Sequence, residues 1–209
     1  MSGKFDVFAL FPTPVVHFEV PDSAALNADL KTVIEHQQKF DAGTEHSNFG
    51  GWQSSWKMDK WGGVAAIKLL AYARNTANRV TCDRQGQPVT ITWKVQMWAN
   101  VNRSGHGNEF HCHPSSYWAG VYYVDDGGIG ADPSLGGWLE LMDPRAPGSA
   151  MYAPHLGFNC PGGLSVGGNE VVMPKAGLMV LFPAWVLHQV RPYKGNAERI
   201  SVAFNLSCE

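Results

Sequence analysis

Hydrophobic and polar positions alternate along the chain from residue 89 onward. Val89, Ile91, Trp93, Val95, Met97, Ala99 and Val101 interleave with Thr90, Thr92, Lys94, Gln96, Trp98, Asn100 and Asn102. A period of two sends successive side chains to opposite faces, so this stretch reads as a long strand with one apolar face and one polar, aromatic-dotted face. The same reading, bounded by turn signals such as Asp125-Asp-Gly-Gly128 and Pro174-Lys-Ala-Gly177, predicts further strands at 109–113, 117–125, 137–142, 170–173, 178–183, 186–191 and 199–207. Upstream the pattern differs. Val15–Val20, behind Phe11-Pro-Thr-Pro14, reads as a first strand. Leu26, Leu30, Val33 and Ile34 then recur at helical spacing, with Asp22 or Ser23 placed to cap the helix. A second helix is expected over Val64–Val80, with Val64, Ile67, Leu70 and Ala71 facing one way. Between the helices, residues 41–63 look like a long surface loop with aromatic anchors at Trp52, Trp56 and Trp61.

Two helices followed by about eight short strands argue for an α+β chain, a β-sandwich or jelly roll with the N-terminal helices packed on one sheet. No repeat or linker divides the chain, so residues 1–209 are expected to form a single domain. The composition narrows the function. A formal net charge of −2 and no run of basic residues give no electrostatic support for a nucleic-acid partner. No apolar window reaches the ~18 residues of a membrane span. The first ten residues lack a signal-peptide pattern, and Cys82, Cys112, Cys160 and Cys208 have no metal-ligand spacing. They read as free thiols of a cytoplasmic protein. A homodimer is kept open as a partner.

The chemistry lies in a few residues. On a strand, Glu109, His111 and His113 point one way while Phe110 and Cys112 point to the core. Two imidazoles on one face suit one transition metal, and equally a solvent-facing pair on an edge strand. His188 sits in an otherwise apolar strand pair turning at Pro183, where a histidine can complete a three-ligand site or be a satisfied core residue. Arg199, Ser201, Ala203 and Asn205 share the face opposite Ile200, Val202, Phe204 and Leu206. An arginine aimed into a sandwich needs an anion. That anion is either a bound carboxylate, with Ser201 adding a hydrogen bond, or an internal carboxylate such as Glu140 or Asp143.

These residues resemble the Fe(II)/2-oxoglutarate-dependent oxygenases, whose core is a double-stranded β-helix, and among them a small group of 2OG-Fe(II) oxygenases. The landmarks are Leu10-Phe-Pro-Thr-Pro14, Trp98-x-Asn100, Asn108-x-x-His111-x-His113-Pro114, Gly120-Val-Tyr-Tyr-Val124, Gly137-x-Leu139-x-x-x-Asp143-Pro-Arg145, Phe182-Pro-x-Trp185-x-x-His188-x-Val190 and Arg199-Ile-Ser-Val-Ala-Phe-Asn205. The resemblance implies Fe(II), 2-oxoglutarate as cosubstrate and O2. It makes His111 and His188 metal ligands, with His113 standing where the family keeps a carboxylate. Glu109 is the alternative carboxylate. Arg199, Ser201 and Tyr123 would hold the distal carboxylate of 2-oxoglutarate, and Asn100 would line the cosubstrate pocket, with Asn102 beside it. The implied reaction is hydroxylation of a small-molecule or peptidyl substrate, with the loops at 41–63 and 146–169 framing the pocket entrance. Two other readings stay open: a three-histidine cupin-like dioxygenase independent of 2-oxoglutarate, and a non-catalytic metal-binding jelly-roll module.

Overall fold

The computed structural model describes residues 3–146, 151–160 and 167–208. Part of the expected rim loop, residues 147–150 and 161–166 with Pro147 and Pro161, lies outside the described residues. The alternating half of the chain builds two antiparallel sheets. The larger contains β1 (Val16–Glu19), β3 (Trp52–Gln53), β4 (Trp93–Asn102), β6 (Trp118–Asp125), β9 (Leu178–Pro183) and β11 (Arg199–Cys208), ordered β1-β9-β6-β11-β4-β3. The smaller contains β2 (Asn48–Phe49), β5 (Gly107–His111), β7 (Leu139–Met142), β8 (Asn169–Val172) and β10 (His188–Val190), ordered β2-β5-β10-β7-β8. This is the expected jelly roll.

The period-two pattern explains why the large sheet is buried on both faces. Trp93, Met97, Ala99 and Val101 of β4 and Ile200, Val202, Phe204 and Leu206 of β11 join one core with α1 (Ser23–Gln37) and α3 (Gly63–Val80). The opposite face packs Ala119, Tyr123, Val180 and Phe182 against Leu139, Leu141 and Val172 of the small sheet. The helices therefore cover one sheet, as expected, and leave its other face to the inter-sheet cavity.

Several boundaries and faces differ from the expectation. The long strand begins at Trp93, because residues 89–92 find no strand partner. Helix α1 starts at Ser23 behind Asp22, whose backbone is left-handed (φ 50°) and whose side chain makes no capping bond. In α3 the expected face is rotated. Ala65, Ala66, Leu69, Leu70, Ala73 and Ala77 are buried, whereas Val64 and Ile67 are 83% and 60% exposed and Ala71 faces solvent. Ala66, Ala73 and Ala77 let the helix lie close to the sheet with Leu69 and Leu70 between them, while Val64 and Ile67 point outward. Residues 41–63 are not one loop. They supply β2 to the edge of the small sheet and β3 to the edge of the large one, then a short α2 (Met58–Trp61). The segment thus ties the two sheets together, turning at Gly50-Gly51 (φ 64° and 73°), where a Cβ on Gly50 would collide with the His106 ring.

Candidate metal and cosubstrate site

One cavity of about 450 Å³ lies between the sheets, within the usual range for ligand pockets. Its floor is written in the register of the large sheet. Ser201 pairs with Asn100 on β4 and with Tyr123 on β6; Ala203 pairs with Trp98 and Val121; Asn205 pairs with Gln96 and Ala119. These rows carry the polar face of the alternating strands across three neighbours. The cavity lining includes Gln96, Trp98, Asn100, Tyr123, Arg199, Ser201 and Asn205. Asn102, expected beside Asn100, is buried and does not reach the cavity.

The small sheet contributes the histidines. His111 ends β5 directly opposite His188, the first residue of β10. His113 lies past the end of β5, so it is not a strand residue as expected. Its amide N–H donates to the Ala184 carbonyl (2.9 Å), which holds the turn against the β9–β10 corner. One potential ligand nitrogen from each of His111, His113 and His188 falls within 4.8 Å of the others. The ring centroids are 4.3 to 5.1 Å apart. That set can hold a single ion.

Hydrogen bonds fix two of the three tautomers. Nδ1–H of His188 donates to the Val186 carbonyl (2.9 Å), and Nδ1–H of His111 donates to the Glu109 carbonyl (2.7 Å). A carbonyl can only accept, so Nε2 of each ring carries the lone pair a metal uses. Burial lowers all three basicities. It is the chief cause at His188, pushed down to about 3 with His111 and His113 adding repulsion, at His113, pushed down to about 4, and at His111. Neutral imidazoles are the form that ligates.

Glu109 does not join them. Opposite His188 and Val190, β5 presents His111 and Asn108, so Glu109 and Phe110 together face the single residue Gln189. This bulge breaks the alternation. Asn108 and His111 line the cavity, while Glu109 is exposed. Phe110, expected in the core, is 38% exposed for the same reason.

Arg199 is the second focus. It is 2% exposed, with its guanidinium 5.3 Å from the Tyr123 ring centroid. Nη1 donates a long hydrogen bond to Ser201 Oγ (3.4 Å), whereas Nε and Nη2 are buried without a partner among the described residues. The Tyr123 hydroxyl is near enough to favour the cation, yet it makes no well-formed hydrogen bond. Burial lowers the Arg199 pKa and raises that of Tyr123. The internal-carboxylate alternative fails for both residues considered. Glu140 is taken by Arg191 (2.7 Å at two atoms), and Asp143 by Arg145 (2.6 Å). Those arginines hold each carboxylate down to about 2. Among the described residues no carboxylate lies within ion-pair distance of Arg199.

The segment 41–63, expected to frame the entrance, does line the cavity, partly through residues the sequence did not single out. His46 stacks on Trp56 (4.6 Å between ring centroids), Trp56 tilts against Trp98 (6.5 Å), and Trp98 against His113 (5.9 Å). Ser47 brings its hydroxyl to 3.4 Å from His111 Nε2. Alternation had placed Gln96 and Trp98 on the right face. Nothing local signalled His46 or Ser47, which arrive only because β2 and β3 close onto the two sheets.

Residues 96–205 match a protein-family model described as "Putative 2OG-Fe(II) oxygenase". The chain belongs to the 2OG-Fe(II) oxygenase family. Its members are oxygenases that use Fe(II), 2-oxoglutarate and O2. No curated protein is significantly similar in sequence. Among solved structures, a prolyl-4-hydroxylase from Pseudomonas putida superposes with a TM-score of 0.66 at 16% identity, covering 93% of this chain and 92% of that one. A prolyl hydroxylase from Trichoplax adhaerens, in complex with a hypoxia inducible factor oxygen degradation domain peptide fragment, gives 0.61 at 13% identity, over 93% and 83%. HygX from Streptomyces hygroscopicus, with nickel and 2-oxoglutarate bound, gives 0.60 at 11% identity, over 94% and 83%. At such identities the likeness is one of fold, and it is the double-stranded β-helix common to 2OG oxygenases. Among the described residues no helix is long and apolar enough to cross a membrane.

Proposed function

We propose that this oxygenase couples decarboxylation of 2-oxoglutarate to hydroxylation of a small-molecule or peptidyl substrate at the inter-sheet cavity. The observation that carries the reading is Arg199, a buried guanidinium with two unpartnered donors lining the same cavity as three convergent histidines. A buried cation of this kind costs several kcal/mol unless an anion pairs with it, and a carboxylate-bearing cosubstrate is such an anion. The residues fit the implied groups. His111, His113 and His188 would hold Fe(II), while Arg199, Ser201 and Tyr123 would take the distal carboxylate and Asn100 would flank it. When bound, iron with 2-oxoglutarate and O2 supplies the oxidation: one oxygen atom converts substrate C–H to C–OH, and the other leaves in succinate as CO2 is released.

This chain's own residues supply position and exclusion. The Nδ1–H bonds of His111 and His188 keep their Nε2 lone pairs directed at one point. Arg199 sets the depth and direction of the cosubstrate, and Leu139, Phe182, Val121 and Val190 form an apolar surround that excludes water. Trp56 and Trp98 stand at the side where substrate would enter. Among the described residues the cavity lining has no Asp, Glu or Lys, which supports a neutral substrate group. Four free cysteines support a reducing compartment, the cytoplasm, and we take residues 1–209 as one catalytic domain. A three-histidine dioxygenase that dispenses with 2-oxoglutarate leaves the Arg199 donors unexplained.

Anaerobic addition of Fe(II) and 2-oxoglutarate to the purified protein should produce a visible metal-to-ligand charge-transfer band and, on admitting O2, slow succinate formation. Arg199→Ala should lose the band at ordinary 2-oxoglutarate concentrations while still binding metal. No band together with no succinate from the wild type would overturn the reading, as would undiminished 2-oxoglutarate binding by the variant.

A further inference from the structure

His113 differs from the other two histidines in what holds its ring. Its Nδ1 faces no carbonyl. It lies 3.2 Å from Nδ2 of Asn205, whose amide also reaches Gln96 Oε1 at 3.5 Å. An amide nitrogen donates, so in this arrangement Nδ1 of His113 accepts and the ring proton sits on Nε2. That proton points at His188 Nε2, 3.3 Å away, whose lone pair is free because its Nδ1–H is committed to Val186. The hydrogen bonds are mutually consistent. They also leave His113 as the opposite tautomer from the one that ligates a metal through Nε2.

The remaining atoms indicate how the site changes. Asn205 is 7% exposed, and its Oδ1 is buried with no donor. An amide can present either end from nearly the same outline. Turned over, the Asn205 carbonyl would accept from His113 Nδ1–H, and from Gln96 Nε2 if that amide turned likewise. His113 Nε2 would then carry a lone pair toward the other two rings. A carbonyl or carboxylate accepting from the far nitrogen is how ligating histidines are ordinarily held.

Resting on the reading of His113 as a metal ligand, we propose that Asn205 is a positioning residue that sets the proton on His113, its amide turning over as the metal is taken up. The residue sits on β11, opposite Gln96 and four positions after Ser201 in the strand. The strand that offers Arg199 to the cosubstrate thereby also governs the third imidazole. It occupies the position from which a carboxylate would compensate for a neutral ligand, and it supplies only an amide.

The test uses the full-length protein labelled with 15N-histidine, with Zn(II) as a diamagnetic probe, together with Mn(II) affinity measured by titration. In metal-free wild type, His113 should carry its proton on Nε2 while His111 and His188 carry theirs on Nδ1. Zn(II) should move the His113 proton to Nδ1. Asn205→Asp, close to isosteric, can only accept from that nitrogen. It should show the Nδ1–H tautomer without metal and bind Mn(II) about tenfold more tightly, whereas Asn205→Ala should bind about tenfold more weakly, the scale expected for an outer partner of a ligating histidine. Metal uptake by the wild type with the His113 proton already on Nδ1, or equal Mn(II) affinities in the two variants, would overturn the role of Asn205 and leave the metal site standing. Absence of metal uptake by the wild type and by both variants would overturn the site and this proposal with it.

Discussion

Arg199 and His113 show two ways in which a single side chain reports on function. Arg199 is informative because of what it lacks: a guanidinium 2% exposed, with Nε and Nη2 unpartnered among the described residues, is expensive unless a ligand completes it. His113 is informative because of its chemistry, an uncharged group where the resemblance leads one to expect a carboxylate. If it is a ligand, His113→Asp should retain Fe(II) binding, since a carboxylate donor replaces an imidazole. His113→Ala should weaken binding by more than the ten- to hundredfold typical of losing an outer partner. Anaerobic Fe(II) titration measures both, and an Ala variant with wild-type affinity would exclude His113 from the metal. The placing of His111, His188, Arg199 and Ser201 at one cavity was legible from alternation together with the family resemblance. That of Glu109 was misread, because counting along the strand assumes a regular pleat and the bulge at Glu109–Phe110 inverts the faces before His111.

Secondary-structure elements were read well where the pattern repeats over many residues and less well where side-chain size counts. The ten residues of β4 and of β11 carry enough alternation to fix their faces, and their register then delivers the rows that line the cavity. The expected face of helix α3 holds at Leu70 but fails at Val64 and Ile67, because large apolar residues drew the assignment away from the alanines that allow close approach to the sheet. Ala73 is fully buried in that contact, and Ile67 is 60% exposed. Ala73→Leu should therefore overpack the helix–sheet interface and cost about 1–3 kcal/mol, while Ile67→Ala should stay within about 0.5 kcal/mol. Thermal unfolding distinguishes them: a loss of roughly 2–4 °C per kcal/mol is expected for the first and little change for the second. Equal shifts would return the helix to the face that periodicity suggested. The turn and strand fragments at 48–53 carried no such signal, since two-residue strands have no period to detect.

Assembly of the two sheets buries three imidazoles together, and this couples the site to the stability of the whole molecule. With His113 lowered to about 4 and His188 to about 3 by burial, the unfolded metal-free chain takes up protons below the ordinary value near 6.5 that the folded chain refuses. Folding stability should then fall as pH drops from about 6.5 toward 4, by up to about 1.4 kcal/mol per pH unit for each fully shifted histidine, less for the partly exposed His113. Above pH 7 the effect vanishes. Glu140 and Asp143, also lowered, act in the same direction but at lower pH. Their lowered values stabilise the fold above pH 4, and that contribution is lost only as pH falls toward 2. Denaturant unfolding of metal-free protein at pH 7 and pH 5 isolates the histidines. Equal stability at the two pH values would contradict their burial as neutral rings.

Local chemistry along the chain was enough to point to a β-sandwich or jelly roll, to most of the cavity-facing set on β4 and β11, and to a histidine group and an anion-seeking arginine. Periodicity and residue type act over neighbouring positions, so they are readable in one dimension. The choice between a bound anion and an internal carboxylate for Arg199 required knowing that Arg191 and Arg145 occupy Glu140 and Asp143. The exclusion of Glu109, the arrival of His46 and Ser47, and the contact of Asn205 with His113 likewise join residues from different strands and loops. Such pairings are set by register, bulges and sheet-on-sheet packing, which are properties of the folded chain as a whole.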